Sequence, residues 1–260
     1  MIRGIVVGIV LAILVISIAF VIYRDALGPI PTQTIRSLAQ FYLWNTYNIF
    51  NRTYWAASPE AVNAILWDYR GLDTVYETTV LFLALTGCLA LALVTERRDR
   101  ESIERKEDVV GLTPLASTCA KVVSIIIVLI AMALAFRGYI TPGGGFQGGT
   151  AFAIAPLLLI AAFSARYVIT RGFRLSRAAI LRSLGLLSIA FLVYLPLIFN
   201  GYAMQNQPKP WTYTPLREKM LGIYTGGTLL FYNISEFLVV SMEFIAIFIL
   251  ISIAMPGEEK

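Results

Sequence analysis

The sequence contains no histidine, which excludes imidazole ligation of haem or metal and histidine-based acid–base catalysis. Its two cysteines, Cys88 and Cys119, both lie inside apolar runs, with no spacing that builds a zinc or iron–sulfur site; they are expected to be buried apolar fillers. No Ser/His/Asp set, metal-ligand cluster or dinucleotide fingerprint is present. Any proton or ion chemistry must therefore use carboxylates, lysine or water. Charge is scarce as well: 14% of the 260 residues are charged and 58% are hydrophobic, whereas soluble domains are about one quarter charged. This balance belongs to an integral membrane protein.

Six apolar runs are long enough to cross a hydrocarbon core: 4–23, 75–95, 114–136, 147–168, 179–199 and 224–255. The last can tilt or project from the bilayer. The first lacks a small-x-small cleavage site and reads as a retained anchor. The net charge of +5 falls where the positive-inside rule places it, not in a nucleic-acid-binding patch. With the N-terminus inside, the inner segments collect twelve basic residues, Arg182 among them, and the outer segments eight. The expected architecture is an all-α integral membrane protein of about six transmembrane helices, multi-pass in the cell membrane, with N- and C-termini cytoplasmic.

A nearly balanced charged run, residues 96–108, divides the chain. Residues 1–95 form a two-helix membrane module, 96–108 a charged cytoplasmic connector, and 109–260 a four-helix module of two hairpins. Opposite charges at three- and four-residue spacing in the connector suit a solvated helix, at about 0.2–0.5 kcal/mol per pair. In the outer segment after Arg24, residues Ile35, Leu38 and Tyr42 share a helical face. Trp44, Trp55 and Trp67 suit a headgroup region; covering a partner subunit is an equal alternative. A second outer segment, 200–222, holds Pro208, Pro210 and Pro215 and cannot be one uninterrupted helix.

Three sets of charges are candidates for ion chemistry. Arg70, Asp73 and Glu77 fall at i, i+3 and i+7 at the mouth of the second span and would line one stripe. Glu77, a turn inside a membrane helix, needs protein or water and a charge partner, for which Arg70 is the candidate. The alternative is a simple ion pair at the helix mouth, with Asp73 complementing the dipole. Glu236 and Glu243 stand seven residues apart on one face of the last span. Counted from Tyr224, Glu236 lies about 18 Å into a core of about 30 Å. Lys121, in the third span, falls about 12 Å from the inner edge, near the same depth. Lys121 is thus a candidate partner for Glu236, inside the bundle or through adjacent subunits. Structural pairing and ion or proton conduction both fit these charges.

Between the third and fourth spans lies Thr141-Pro142-Gly143-Gly144-Gly145-Phe146-Gln147-Gly148-Gly149. It lacks the Gly-Lys-Ser/Thr of a phosphate-binding P-loop. The five glycines mark a tight hairpin whose second helix packs closely on its neighbours, with Pro142 in the turn and Gln147 free to bind turn backbone.

This run, with Arg137-Gly138-Tyr139-Ile140 before it, closely resembles the signature of the B subunit of Mrp-type multisubunit sodium/proton antiporters, in which His-Gly-His-Leu-Ser-Pro precedes the same Gly-Gly-Gly-Phe-Gln-Gly-Gly. The family's two histidines are replaced by Arg137 and Tyr139, and an Asn stands where an Asp is common in the last span. The stretch Asp68-Tyr69-Arg70-Gly71-Leu72-Asp73-Thr74, followed by Glu77, is similar to the C-terminal end of the large A subunit of the same antiporters. Both parts have counterparts in archaeal membrane-bound hydrogenases and sulfur-reducing complexes, and their fusion departs from the usual antiporter layout. The resemblance implies a non-catalytic membrane subunit serving Na+ or H+ translocation, with no cofactor in this chain. Other Mrp-like membrane subunits, hydrogenase or sulfur-reductase subunits, and lipid would be its partners. A stand-alone antiporter subunit and a purely structural, lipid-sealing subunit are the alternatives. Asp73, Glu77, Glu236 and Glu243 are the candidate path or coupling residues, Arg70 and Lys121 their charge partners.

Overall fold

The computed structural model of the protein describes residues 2–24, 35–103 and 113–254. Residues 104–108 of the connector and Lys260 lie outside them. The chain divides into two compact units, Met1–Phe41 and Tyr42–Lys260. The first contains α1 (Ile2–Tyr23), a 22-residue helix whose stretch Gly8–Tyr23 is apolar but for Ser17. A second helix, α2 (Ser37–Thr46), carries the chain into the larger unit.

After α2 come a short helix α3 (Ala61–Ala64) and a π-helical turn (Ile65–Tyr69). These lead into α4 (Gly71–Ile103), which runs on through the first part of the charged connector. Then follow α5 (Pro114–Arg137), α6 (Gly145–Ala162), the short α7 (Ala165–Thr170), α8 (Leu175–Ile198) and α9 (Leu229–Ala254). Local signals set several ends. Thr113 caps α5 by accepting the Ala116 N–H, with Pro114 in the first turn, where its missing donor costs nothing. The fourth span stops at Ala162, not near 168, because Phe163 breaks the helix and Ser164 starts α7 by accepting the Tyr167 N–H. The last span begins at Leu229, five residues later than expected, because Ile223–Tyr224 is β2 and pairs antiparallel with β1 (Lys219–Met220).

Among the described residues five helices, α4, α5, α6, α8 and α9, are long and apolar enough to cross a membrane, against the six runs expected. Among them α9 is the centre. It packs on α4, α5, α6 and α8, and Leu229, Val239, Val240, Ile245 and Ile249 on it are wholly buried. In a bilayer the gain comes from close packing and satisfied polar groups, since lipid tails are as apolar as leucine. Small residues make that closeness: Ala131 and Ala135 on α5 meet Gly148 on α6, while Gly149 faces Val240 on α9. The outward faces of α4, α5 and α8 stay apolar and exposed. Cys88 and Cys119 lie on such faces, exposed and free, contrary to the expectation that they fill the core.

Over the end of the bundle where α6 and α9 begin, residues 45–69 and 200–228 interlock through side chain to backbone hydrogen bonds. Asn206 donates to Ala56 O at 2.6 Å and accepts from both N–H and O–H of Thr228 at 2.7 and 2.8 Å. Tyr224 donates to Ala57 O at 2.6 Å, and Ser58 to Tyr139 O at 2.6 Å. This cover corrects the reading of the tryptophans. Trp67 is 1% exposed, stacked on Tyr232 with ring centres 4.5 Å apart, and Trp55 is 3% exposed. Of the three, Trp44 alone presents its ring outward.

Candidate functional site

The glycine link turns the chain back onto α5: the Gly144 N–H donates to Leu134 O at 3.1 Å. Gly143 makes this turn at φ +156°, so near α5 that a β-carbon there would lie 2.6 Å from Leu134 O. The Gln147 side-chain oxygen sits over Gly144, where a β-carbon would be 2.6 Å from it. Pro142 is exposed on the turn. One step on, the backbone of α6 begins directly against α9. A β-carbon on Gly145 would lie 2.4 Å from Asn233 O and 2.7 Å from the Glu236 side chain.

That approach puts the free N–H groups of the first turn of α6 in front of Glu236. Its Oε2 accepts the Phe146 N–H at 3.0 Å, and the residue is 5% exposed. A carboxylate at a helix N-terminus satisfies an orphan donor and meets the positive end of the helix dipole. Beside it, Asn233 on α9 accepts from Asn63 Nδ2 at 2.8 Å in a fully buried contact. Asn233 departs from the family pattern, in which an Asp is common in the last span, and here forms a neutral pair with Asn63. Glu236 lies seven residues into α9, about 10 Å along it, which is shallower than the count from Tyr224 gave. Glu77, six residues into α4, is within electrostatic reach of Glu236 and is exposed on its outer face.

The other expected partnerships resolve differently. Arg70 binds Asp73, with Nε donating to Oδ2 at 2.7 Å, and both side chains are exposed. This is the ion pair at the helix mouth, and it does not extend to Glu77. Lys121 does not reach Glu236. It sits 5.0 Å from the ring centre of Phe163, at the far end of α6, whereas Glu236 meets Phe146 at its start. Seventeen residues of helix, roughly 25 Å, separate the two levels. Counting α9 from Tyr224 puts the two at one depth, and its start at Leu229 moves Glu236 toward the end of the bundle away from Lys121.

Three groups emerge that the motif reading passed over. Arg182 was counted among the inner basic residues, but it lies in α8, 5% exposed, with Glu243 of α9 as its electrostatic partner. Its signal was present in the sequence, since it falls within the apolar run 179–199. Asn63, the partner of Asn233, carried no such signal. The third, Asp68, lies in the π-helical turn, where burial pushes its carboxyl up to about 6 against the pull of the Lys209 ammonium. Lys209 in turn donates to Trp55 O at 3.0 Å.

Because the folded pKa of Asp68 stands above the unfolded value near 3.8, its neutral form stabilises the fold. That contribution is complete below about pH 4 and is lost as pH rises through about 6. The melting temperature should accordingly fall between about pH 4 and 6 more steeply in the wild type than in Asp68→Asn. Parallel curves would show that Asp68 is not the group responsible.

The fold and these charges define a multi-pass, all-α membrane protein with two buried carboxylates, Glu236 and Glu243, on its central helix. The chain belongs to the family described as a domain related to the MnhB subunit of Na+/H+ antiporter, which matches residues 115–246. The resemblance of the second module to that subunit is thereby borne out. An uncharacterised protein of Methanocaldococcus jannaschii is 26% identical over 190 residues, spanning 68% of this chain and 71% of its own length. Among solved structures, a chain of the membrane-bound sulfane sulfur reductase, an archaeal respiratory membrane complex, is similar with a TM-score of 0.64 and 26% identity. The match covers 95% of this chain and 98% of that one. A chain of the Mrp complex from Dietzia sp. is similar at a TM-score of 0.63 and 18% identity, covering 97% of this chain and 26% of that longer one. The second likeness is one of fold, and it places both parts of this chain within a single polypeptide there as well.

Proposed function

We propose that this chain is a non-catalytic membrane subunit that carries part of a Na+ or H+ path in a larger, redox-driven respiratory complex. The observation that carries the reading is Glu236, a buried carboxylate held inside the bundle at the start of α6, with no cation contacting it among the described residues. Such a group is costly inside a membrane unless it handles charge. Glu77 and Lys121 support a multisubunit setting. Both face outward from spans that should meet lipid, so neighbouring subunits would have to cover them. The likeness to a sulfane sulfur reductase chain of nearly the same extent favours a complex of the sulfur-reducing or hydrogenase kind. Fusion of the two parts does not discriminate, since one Mrp chain also contains both. Asp73 then serves with Arg70 at the mouth of α4, and Glu77, Glu236 and Glu243 along the path. The glycine link, from Pro142 to Gly149, supplies packing.

The test is to tag the chain at native expression, purify it in mild detergent and identify its companions by mass spectrometry, then measure Na+ and H+ movement in membrane vesicles. Iron–sulfur or nickel–iron subunits together with ion movement driven by their electron transfer are expected. Companions confined to antiporter subunits would establish the stand-alone exchanger, the second reading, which the fold likeness to the Mrp chain favours. A lone chain that transports by itself would overturn both.

A further inference from the structure

We propose that Arg182 and Glu243 enclose a buried hydration site that holds a transferable proton inside the bundle. Glu243 is completely buried, and neither of its carboxylate oxygens has a hydrogen-bond partner among the described residues. Across the α8–α9 seam, Arg182 has two nitrogens, Nε and Nη1, that are equally without partners. Its remaining nitrogen, Nη2, donates to Thr86 Oγ1 on α4 at 3.2 Å, and the guanidinium lies 4.7 Å from the ring centre of Phe82. The two charges interact electrostatically, yet no nitrogen–oxygen pair between them comes within 4.0 Å. Two orphan donors on α8 and two orphan acceptors on α9 thus lie buried, electrostatically coupled and out of direct contact.

Buried polar atoms left in this state are rare, and a trapped water with two to four polar neighbours is the usual remedy. A bound metal cation is disfavoured by the guanidinium, and α6, which packs beside α9, carries no charged residue from 145 to 162. On α4 the nearest acidic residue on the described face is Glu77, nine residues before Thr86, about 13 Å along the helix. Lys121 on α5 is exposed, and the charged partner of Glu243 is Arg182. The seam is closed on the Glu236 side by Gly185, whose β-carbon, if present, would lie 2.7 Å from Val239 Cγ2. Water held there is enclosed by packing.

The proton step is simple. A proton arriving as hydronium on the bridging water passes to a Glu243 oxygen, leaving neutral water and a neutral carboxyl, while Arg182 keeps its charge. The reverse step returns it. The use of this site in transport rests on the function proposed above; the hydration itself does not.

The test takes the intact native complex. In a cryo-electron microscopy map that resolves ordered water, density is expected within hydrogen-bonding distance of both a Glu243 oxygen and an Arg182 nitrogen. In vesicles, Glu243→Gln should lower ion movement per electron-transfer turnover at least about tenfold, with subunit composition unchanged. An empty gap, or Arg182 and Glu243 in direct contact, would overturn the site. Wild-type coupling in an assembled Glu243→Gln complex would overturn its proton-holding role. If that variant does not assemble, the map of the unaltered complex decides. Absence of ion movement in the unaltered complex would instead sink the function proposed above, and with it the proton-holding half of this inference, while bridging density would still uphold the hydration site.

Discussion

Gly145→Ala is expected to leave little assembled protein, reducing the monodisperse fraction recovered from membranes several-fold. The methyl group would have to occupy space 2.4 Å from Asn233 O and 2.7 Å from Glu236 Cβ. Asn233 O is backbone of the central helix and has no rotamer into which to retreat. Overpacking of well-packed cores typically costs about 1–3 kcal/mol, and contact with backbone belongs at the upper end of that range. Separating α6 from α9 would also withdraw the Phe146 N–H from Glu236. Gly87→Ala is the control, since a β-carbon there meets nothing within 4 Å, and alanine is the better helix former by about 1 kcal/mol. Equal recovery of the two variants by fluorescence-detected size exclusion would show that α6 does not sit as tightly on α9 as described.

Glu236→Gln should lower ion translocation at least about tenfold while leaving assembly and melting temperature near wild type. Glutamine keeps the size of the side chain and an oxygen that accepts the Phe146 N–H, so the start of α6 retains its partner. What it loses is the ability to bear charge or take up a proton. Glu236→Ala loses the acceptor too, and should show a lower melting temperature as well, by an amount equivalent to about 1–3 kcal/mol for an unsatisfied buried donor. This split separates coupling from capping. Translocation at the wild-type rate in Glu236→Gln would reduce the residue to a cap.

Run length and the glycine link made the helical spans and the α5–α6 hairpin legible in the sequence, because bilayer thickness and backbone closeness leave direct marks on composition. Depth was less legible. It was counted from assumed boundaries, and a hairpin at Ile223–Tyr224 in place of helix moved Glu236 about one and a half turns toward the end of its span. Arg182 was hidden by its neighbours: Arg171, Arg174 and Arg177 made it look like the last of a basic loop. Trp55 and Trp67 carry rings that suit an interface as well as a core. Their burial is decided by contacts that no periodicity announces, Trp67 stacking on Tyr232 of α9 and Trp55 lying in the cover with Lys209.

The central position of α9 has a consequence for how the protein is made. Chains leave the ribosome in order, at about 5–20 residues per second, so the helix around which the bundle is organised reaches the membrane after α4, α5, α6 and α8. Until then α6 has α5 to pack against, but Glu236, Asn233 and Glu243 are still to come, and the opening turn of α6 lacks its acceptor. Arg182 must also wait in α8 for its counter-charge. The nascent bundle therefore passes through a stage in which intramembrane polar groups stand open, and insertion of α9 closes the core in one late step.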